Sequence, residues 1–437
     1  MNYSNIRSHL IKQAVLSSLA GKGISLITQM LVLPMAVSAL GVERFGVYAM
    51  MMAVFIWANT LPSVVSSALS IRIVEANACS DRVSESRLFS TAFFFTIVIA
   101  FLLALVFQLV INSEDLYKIF RLNSSDYNDD LRQAVMVMSI LLPINVVATL
   151  SESAQSGYQK QYVTNLLMTI SNIIVIIDLI WVQSDPSICS LVLAVFVPPL
   201  IARIINMLLL WREHPHVLPR WKMADRNTLN SLVKFGAGFA LMQIGSFAYL
   251  QYPVVLVGRD TGAQNAGYFA AMMQVINISG SFLILFTQPL LPALSDASVR
   301  KDFGWIQSAY RLMITRFISY IILATICLGI LGTLILSKLL KHSVSIDEST
   351  KWLWAFFFFL VAWEHINFVF IAGIGRIWYA TSLYLFGAGV MLLFMHILVP
   401  QLGLNGVFLS MCLGPVISTV IIYPYLIRRI IFTNSNY

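Results

Sequence analysis

GVERFGVYAMMMAV, from Gly41 to Val54, returns in altered form as GAQNAGYFAAMMQV, from Gly262 to Val275. Six of these fourteen positions are identical at a shift of 221 residues, including two glycines and a Met-Met pair. The shift is about half of the 437-residue chain, and each copy follows one long apolar segment and opens the next. Such a repeat in a hydrophobic chain is typical of transporters built from two helical bundles around a central pathway.

The alternative is a chance similarity between two apolar turns that each begin with glycine. Two further correspondences favour a true repeat. The segment from Val233 to Gly258 repeats the long apolar stretch ahead of the first motif, and SGYQKQYVT at Ser156 resembles IGRIWYAT at Ile374 at nearly the same shift.

Composition places the chain in a membrane. Hydrophobic residues make up 58% and charged residues 11% of the sequence, and the mean hydropathy is +0.80. Soluble proteins carry about 25% charged residues, and apolar spans of about 18 or more residues indicate transmembrane helices. We therefore predict an all-α membrane protein with two six-helix bundles. The twelve predicted spans are 14–37, 45–70, 88–111, 132–155, 161–182, 188–211, 233–257, 264–289, 312–337, 352–374, 377–399 and 404–427.

The distribution of Lys and Arg predicts the orientation. With the N-terminus in the cytoplasm, 18 of these residues fall on the cytoplasmic side and 8 on the opposite side, while Lys22 and Arg203 lie within spans. Cytoplasmic loops of membrane proteins carry the excess of cations, so both termini are predicted to be cytoplasmic. The net charge of +8 then indicates contact with anionic headgroups rather than with nucleic acid.

The longest polar link predicts the division into halves. Residues 212–231 are basic, contain proline and lie near the middle of the chain, so we interpret them as a cytoplasmic linker. The N-terminal bundle would then comprise residues 1–211 and the C-terminal bundle residues 232–437. His214 and His216 flank a proline in this linker and are predicted to lie in a solvated turn.

The chain offers no sizeable external domain in which an enzyme could place catalytic residues. The longest predicted external loops, 112–130 and 338–351, are too short for one. A GxxxxGK[ST] loop for ATP hydrolysis is absent from the sequence. The four cysteines lack CxxC spacing and are expected to be buried free thiols. We therefore expect a protein that is not an enzyme and that needs no cofactor or metal.

The candidate substrate-binding residues form a polar stripe on the first span. Ser18, Lys22, Ser25 and Gln29 share one face of the predicted helix, and apolar side chains cover the rest. Ionisable side chains at membrane depth are costly and usually face a cavity or a partner, so the stripe indicates a wetted wall. The alternative is that Lys22, about 12 Å from the helix start, snorkels to the headgroups. Arg203 lies at similar depth in the sixth span, and the same two interpretations apply to it.

The candidate ion-coupling residues lie in other spans. Glu364 and His365 are near the middle of the tenth span, and Asp178 lies near the external end of the fifth. A carboxylate at mid-depth is neutral, paired with a cation, or part of an ion or proton relay. The alternative for Glu364 is a structural pair with a cation from the other half.

The chain resembles a known transporter family. The external turn ALGVERFGVYAM, from Ala39 to Met50, is similar to that of Wzx-type flippases, the polysaccharide-exporter branch of the MATE-like MOP superfamily. The turns QSGYQK at Gln155 and LPALSDA at Leu291 are also similar. The best match is the LG-x-E-x-x-G pattern at Leu40, Gly41, Glu43 and Gly46.

The resemblance implies a MATE-like fold and a role in O-antigen, lipopolysaccharide or other polysaccharide biosynthesis. Such flippases move an oligosaccharide on undecaprenyl pyrophosphate from the cytoplasmic to the periplasmic leaflet of the bacterial inner membrane. Cations typically line their cavities, which agrees with Lys22 and Arg203. Expected partners are the lipid-linked oligosaccharide and membrane lipids, with a polysaccharide polymerase and a chain-length regulator as candidate protein partners.

Two alternatives stay open. A drug/cation antiporter of the same superfamily should have a more acidic cavity than the cationic stripe indicates. A membrane glycan polymerase or ligase is disfavoured by the small external loops.

Overall fold

The computed structural model describes residues 3–60, 63–112, 128–287, 290–340 and 346–434, without the side chains of residues 3–20, 22 and several others in these ranges. All regular secondary structure in these ranges is helical, so the predicted all-α fold is confirmed. In chain order the helices are α1 (Tyr3–Thr60), α2 (Ser63–Ala78), α3 (Arg82–Asn112), α4 (Asn128–Ala148), α5 (Leu150–Gly157), α6 (Gln161–Val182), α7 (Ile188–Glu213), α8 (Arg226–Leu250), α9 (Tyr252–Thr261), α10 (Ala263–Thr287), α11 (Leu290–Val299), α12 (Phe303–Leu340), α13 (Glu348–Gly373), α14 (Ile377–Leu402), α15 (Leu404–Ser418) and α16 (Ile422–Asn434).

Contacts between helices divide the chain into two compact units, Met1–Gln243 and Ile244–Tyr437, which we call unit 1 and unit 2. In unit 1, α6 packs between α1 and α7, and α3 packs against α4. In unit 2, α14 packs against α15, and α12 against α13. This division is based on contacts between residues and does not test the predicted linker between the two bundles. The predicted boundaries at residues 211 and 232 therefore stay a prediction.

The described part of the chain contains ten helices long and apolar enough to cross a membrane, where the sequence predicted twelve. One of them, Gly23–Thr60, has 38 residues. It is not one straight helix, because two helices join at a kink at Gly41, whose backbone angles of φ 77° and ψ 165° are not helical. It spans parts of two predicted spans, 14–37 and 45–70, which Gly41 separates. The other difference is the predicted span 233–257, which is divided where α9 begins with Pro253 near its N-terminus.

The two copies of the repeat adopt the same turn. Gly41 has φ 77° and ψ 165°, and Gly262 has φ 100° and ψ 158°. This region of backbone conformation is accessible essentially only to glycine. Over the next ten residues the two copies have the same degree of burial at nine positions. The repeat therefore specifies the same local structure in both units.

A second pair of turns also has the same backbone conformation in both units. Gln159 and Gly375 both have positive φ, 60° and 84°, and both end a helix in a Schellman motif. The next residue, Lys160 or Arg376, donates its backbone N–H to the carbonyl five positions earlier, at 2.8 and 3.0 Å. These turns match at a shift of 216 residues, two fewer than the alignment of their sequences gives.

The histidines between α7 and α8 are packed against unit 1. The rings of His214 and Tyr158 stack with their centroids 3.9 Å apart, and burial lowers the pKa of His214. His216 Nε2 lies 2.6 Å from Glu85 Oε2, and the Tyr158 hydroxyl donates to the same oxygen at 2.6 Å. The prediction of a solvated turn was wrong because Tyr158 and Glu85, far away in sequence, cover the two imidazole rings.

The rest of this connecting segment is tied to the start of α3. The backbone N–H of Arg220 donates to Ser90 Oγ, and that of Asp225 donates to Thr91 Oγ1, both at 3.1 Å. Val217 is completely buried in the core of unit 1. The segment from residue 214 to residue 225, which we call the strap, is therefore packed within unit 1 and is not a flexible linker.

All four cysteines are free thiols, but only Cys412 is buried. The prediction of buried thiols was wrong for Cys79 and Cys327, which are exposed. In a membrane span, an exposed side chain such as that of Cys327 contacts lipid, so an apolar setting does not require burial in protein.

The repeated glycines give the first prediction. Alanine at Gly41 or Gly262 should lower the free energy of unfolding by about 1 to 3 kcal/mol, because its Cβ disfavours this backbone conformation. No neighbour lies within 4 Å of an added Cβ at either site, so the backbone alone is tested. Gly23→Ala is the matched control, since Gly23 is helical with open space around it and should gain stability. Thermal unfolding in detergent measures both, and equal midpoints for Gly41→Ala and Gly23→Ala would contradict this account.

Candidate functional site

The predicted polar stripe lies on α1. Ser18 and Lys22 belong to this helix, but their side chains lie outside the described residues. Ser25 and Gln29 are half-buried and one helical turn apart, as predicted. The stripe of Ser18, Lys22, Ser25 and Gln29 and the orientation of Lys22 therefore stay predictions.

One edge of this stripe packs against α6. The Thr28 hydroxyl donates to the Ile24 carbonyl at 2.9 Å and approaches the Asn172 carbonyl of α6 at 3.4 Å. A Cβ added to Gly21 would lie 2.9 Å from Thr169 Oγ1 of the same helix. Because small or hydrogen-bonded residues allow helices to approach closely in membranes, this edge is a helix contact.

Arg203 of α7 lies at the centre of a polar network. Its Nε donates to Glu152 Oε1 at 2.7 Å, and its Nη1 donates to Asn145 Oδ1 at 2.8 Å. The Asn145 amide donates in turn to Asn59 Oδ1 at 3.0 Å. Four helices, α1, α4, α5 and α7, are joined in this way within unit 1.

The network continues about one turn further along α7, on the same face. Asn206 is buried, and its amide donates to Ser151 Oγ at 3.2 Å and to Thr164 Oγ1 at 3.1 Å. Gln155 is fully buried, and neither of its amide atoms has a hydrogen-bond partner in the described ranges. Unit 1 therefore contains a polar layer inside an otherwise apolar bundle, with hydrogen-bonding capacity still unused.

The charge of Arg203 is compensated by Glu152. Both side chains are partly accessible, with 22% and 30% of their surface exposed. An anionic ligand reaching this pair would compete with Glu152 for the guanidinium group. Arg203 can bind an anion directly only by weakening its ion pair, which makes the pair a possible point of exchange.

Glu364 of α13 is a buried acid of unit 2, and its side chain interacts with that of Thr419. Its side chain is 8% exposed, and its Oε1 atom has no hydrogen-bond partner among the described residues. The phenol groups of Tyr249, Tyr384 and Tyr423 are near enough to interact with it electrostatically. A buried carboxyl group with phenol groups nearby suits uptake of a proton or a small cation.

Tyr249 contributes a second buried polar atom without a partner in the described ranges, its hydroxyl oxygen. It lies where α14 and α15 cross at close range. A Cβ added to Gly414 would lie 2.9 Å from this oxygen and 2.7 Å from the Gly387 carbonyl oxygen. The two glycines therefore make room for the phenol beside Glu364.

The other predicted ion-coupling residues have different surroundings. His365 Nε2 lies 2.9 Å from Thr287 Oγ1 of α10, so it contacts a different helix from the one that carries Tyr249. Asp178 is half-buried in α6 of unit 1. Glu364 and His365 are adjacent in sequence, but their side chains contact different polar groups.

Sequence reasoning missed several members of both clusters. Asn59, Asn145 and Gln155 are amides inside apolar segments, and that contrast was a usable signal. Tyr249 gave no signal, because tyrosine is common in membrane helices and its importance depends on packing against α14 and α15. No three His, Cys, Asp or Glu side chains in the described part of the chain group as metal ligands would.

The Arg203–Glu152 pair gives the second prediction. A double-mutant cycle with Arg203→Gln and Glu152→Gln should yield a coupling of about 1 to 2 kcal/mol in unfolding free energy, because each single change leaves a partly buried charge unpaired. Arg72 and Glu75, paired at 2.8 Å but more exposed, are the control and should couple by less than about 0.5 kcal/mol. Equal coupling in the two pairs would contradict the proposed importance of burial.

Comparison with solved structures identifies the fold. An inward-facing multidrug resistance MATE family transporter of the MOP superfamily superposes with a TM-score of 0.81 at 14% identity, covering 97% of this chain and 99% of that one. An outward-facing multidrug resistance MATE transporter gives 0.68 at 14% identity, covering 98% and 96%. A MOP superfamily transporter from Pyrococcus furiosus gives 0.66 at 14% identity, also covering 98% and 96%.

Comparison of sequences adds the family. A search of curated proteins found no match. A family model described as polysaccharide biosynthesis protein matches residues 11–298, about two thirds of the chain. With the ten apolar helices, this makes the chain a multi-pass membrane protein with a transporter fold. It belongs to the polysaccharide biosynthesis protein family.

Proposed function

We propose that this transporter moves a lipid-linked oligosaccharide across the bacterial inner membrane. The cargo would be an O-antigen or similar repeat unit on undecaprenyl pyrophosphate, carried from the cytoplasmic to the periplasmic leaflet by alternating access. The observation that carries the proposal is a MATE-type transporter fold in a chain that belongs to a polysaccharide biosynthesis family. A polysaccharide made on a membrane lipid needs a transporter at the step where the unit crosses the bilayer.

The physical chemistry of the cargo agrees with a membrane protein that has polar groups at depth. The pyrophosphate and sugars cannot cross hydrocarbon alone, since buried charges and unpaired hydroxyl groups are costly there. The isoprenoid tail can stay in the lipid throughout. The protein therefore has to supply hydrogen bonds and cations along the path of the head group only.

We assign binding of the head group to unit 1. Lys22, with Ser18, Ser25 and Gln29 on the same stripe, would hold the pyrophosphate or acidic sugars. Arg203 would join them by exchanging Glu152 for a cargo anion. This exchange is plausible because the pair is partly exposed and Asn145 can hold the guanidinium in place during it.

We assign coupling to unit 2. Glu364, with its unpartnered carboxyl oxygen and the neighbouring phenols, would take up a proton or a small cation in one state and release it in another. His365 and Asp178 would assist from separate positions. Depletion of cargo by polymerisation outside the cell would add to the driving force, and a polymerase and a chain-length regulator are the proposed protein partners.

A drug/cation antiporter is the second candidate. It is favoured by the likeness to two solved multidrug resistance transporters. The Pyrococcus furiosus structure is described as having a binding pocket of reverse polarity that suggests a different function. Since the fold accommodates pockets of different polarity, the cationic stripe and the family favour an anionic cargo here.

Deletion and rescue in cells gives the third prediction. Loss of the protein should remove surface polysaccharide and trap intact lipid-linked repeat units on the cytoplasmic face. Lys22→Ala should insert normally but transport about tenfold less, as expected for loss of one charged hydrogen bond. Lys338→Ala, an exposed lysine at the end of α12, is the control and should rescue fully. Periplasmic single units that are never polymerised would instead identify a polymerase, and full rescue by Lys22→Ala would remove its assignment.

Replacement of Glu364 gives the fourth prediction. Glu364→Gln keeps the shape of the side chain but cannot titrate, so transport should become insensitive to an imposed pH or cation gradient. Asp347→Asn is the control, because Asp347 is exposed at the N-cap of α13 and its side chain makes no capping hydrogen bond. Transport by purified protein in vesicles measures both, and an unchanged gradient response in Glu364→Gln would show that coupling lies elsewhere.

A further inference from the structure

Unit 1 carries an open apolar groove formed by three of its helices. The groove has a volume of about 490 Å³ and lies between α3, α4 and α7. Phe101, Ile144 and Leu208 line it and are exposed, Phe101 to 67%. All three helices belong to membrane spans, so the open side of the groove faces hydrocarbon. An acyl chain fits such a surface, but apolar walls alone do not choose one lipid over another.

The end of the groove nearest the strap is aromatic. Phe93 and Trp211 line the groove there, with ring centroids 6.3 Å apart in an edge-to-face arrangement. On the adjacent face, Trp221 packs edge-to-face on Phe94 at 4.9 Å while 74% of its surface stays exposed. Tryptophan with one apolar and one open side is typical of the membrane–water interface. This end therefore lies at headgroup level.

Cations surround the aromatic end. Arg212 follows Trp211 directly, and Arg220 and Lys222 flank Trp221. All three side chains are exposed, and none pairs with an acid in the part of the chain that the structure describes. The backbone bond from Arg220 to Ser90 holds this part of the strap on α3. The backbone that carries Arg220 and Lys222 is thus held against α3, the helix that lines one side of the groove.

The acidic side chains near this end of the groove bond to residues other than the three cations. Glu85 is buried and bonded to Tyr158 and His216, and Glu213 pairs with Lys160 at 2.7 Å. Asp225 accepts two hydrogen bonds from Thr228 at the start of α8, which lower the pKa of its carboxyl group. Asp225 therefore keeps its negative charge, but the three cations outnumber it, so the net charge at this end is positive and complementary to a phosphate group.

We propose that this groove and the strap bind one anionic phospholipid of the surrounding membrane. The acyl chain lies in the groove, and the phosphate contacts Arg212, Arg220 and Lys222 below the exposed face of Trp221. Basic pockets at the ends of membrane helices have this preference for anionic headgroups. The lipid bridges the strap and helices α3 and α7, so its binding stabilises the folded protein. The inference does not depend on the proposed cargo.

The experiment uses the full-length protein in detergent with phosphatidylglycerol as the probe and phosphatidylcholine as its zwitterionic match. Native mass spectrometry measures lipid retention, and thermal unfolding measures stabilisation. Phosphatidylglycerol should be retained and raise the midpoint, while phosphatidylcholine should do neither. The triple variant Arg212→Gln, Arg220→Gln, Lys222→Gln should bind about a hundredfold more weakly, since each of the three cations attracts the anionic headgroup. Equal effects of the two lipids would overturn the proposal.

Two further variants separate charge from groove and from fold. Lys301→Gln, Arg311→Gln, Arg316→Gln removes the same charge from exposed positions in unit 2 and should bind phosphatidylglycerol like the wild type. Ala104→Trp fills the groove without changing charge and should reduce retention on its own. Equal loss in the two triple variants would overturn the proposal, as would normal retention in Ala104→Trp. Undecaprenyl phosphate retained in place of phosphatidylglycerol would also overturn it and assign the groove to the cargo lipid.

Discussion

The absence of water from the hydrocarbon core is the constraint on which the rest of this structure depends. Backbone N–H and C=O groups must bond to one another there, so the described chain is helical wherever it crosses. Helices are interrupted where a residue can adopt the required conformation, as at Gly41 and Gly262. The same constraint makes every polar side chain at depth informative, because each one needs a partner or a function.

The two units meet this constraint differently. In unit 1 the charge of Arg203 is paired with Glu152 and supported by Asn145, while the buried amide of Gln155 has no partner in the described ranges. In unit 2 the carboxyl of Glu364 and the hydroxyl of Tyr249 each have an atom without a partner in the described ranges. An ion-paired arginine that can exchange one anion for another suits cargo binding, and a buried carboxyl with an unpartnered oxygen suits coupling. The proposed function assigns the two tasks accordingly.

The features that could be predicted from sequence are local ones. The apolar spans follow from composition. The repeated turns follow from glycines, since only glycine readily adopts the backbone conformation of these turns. Contacts between distant residues could not be predicted. Arg203 and Glu152 are 51 positions apart, and Glu85 and His216 are 131 apart, so no periodicity connects them. The wrong prediction for the histidines and the missing partners of Arg203 have this common cause.

The most direct test of the account is leaflet-resolved transport in vesicles that contain only the purified protein. A fluorescent oligosaccharide on undecaprenyl pyrophosphate would be placed in one leaflet, and its accessibility to a membrane-impermeant quencher followed over time. The account predicts movement that depends on the protein and that a cationic drug in excess does not inhibit. Transport of the drug without movement of the lipid-linked oligosaccharide would contradict it and identify an antiporter.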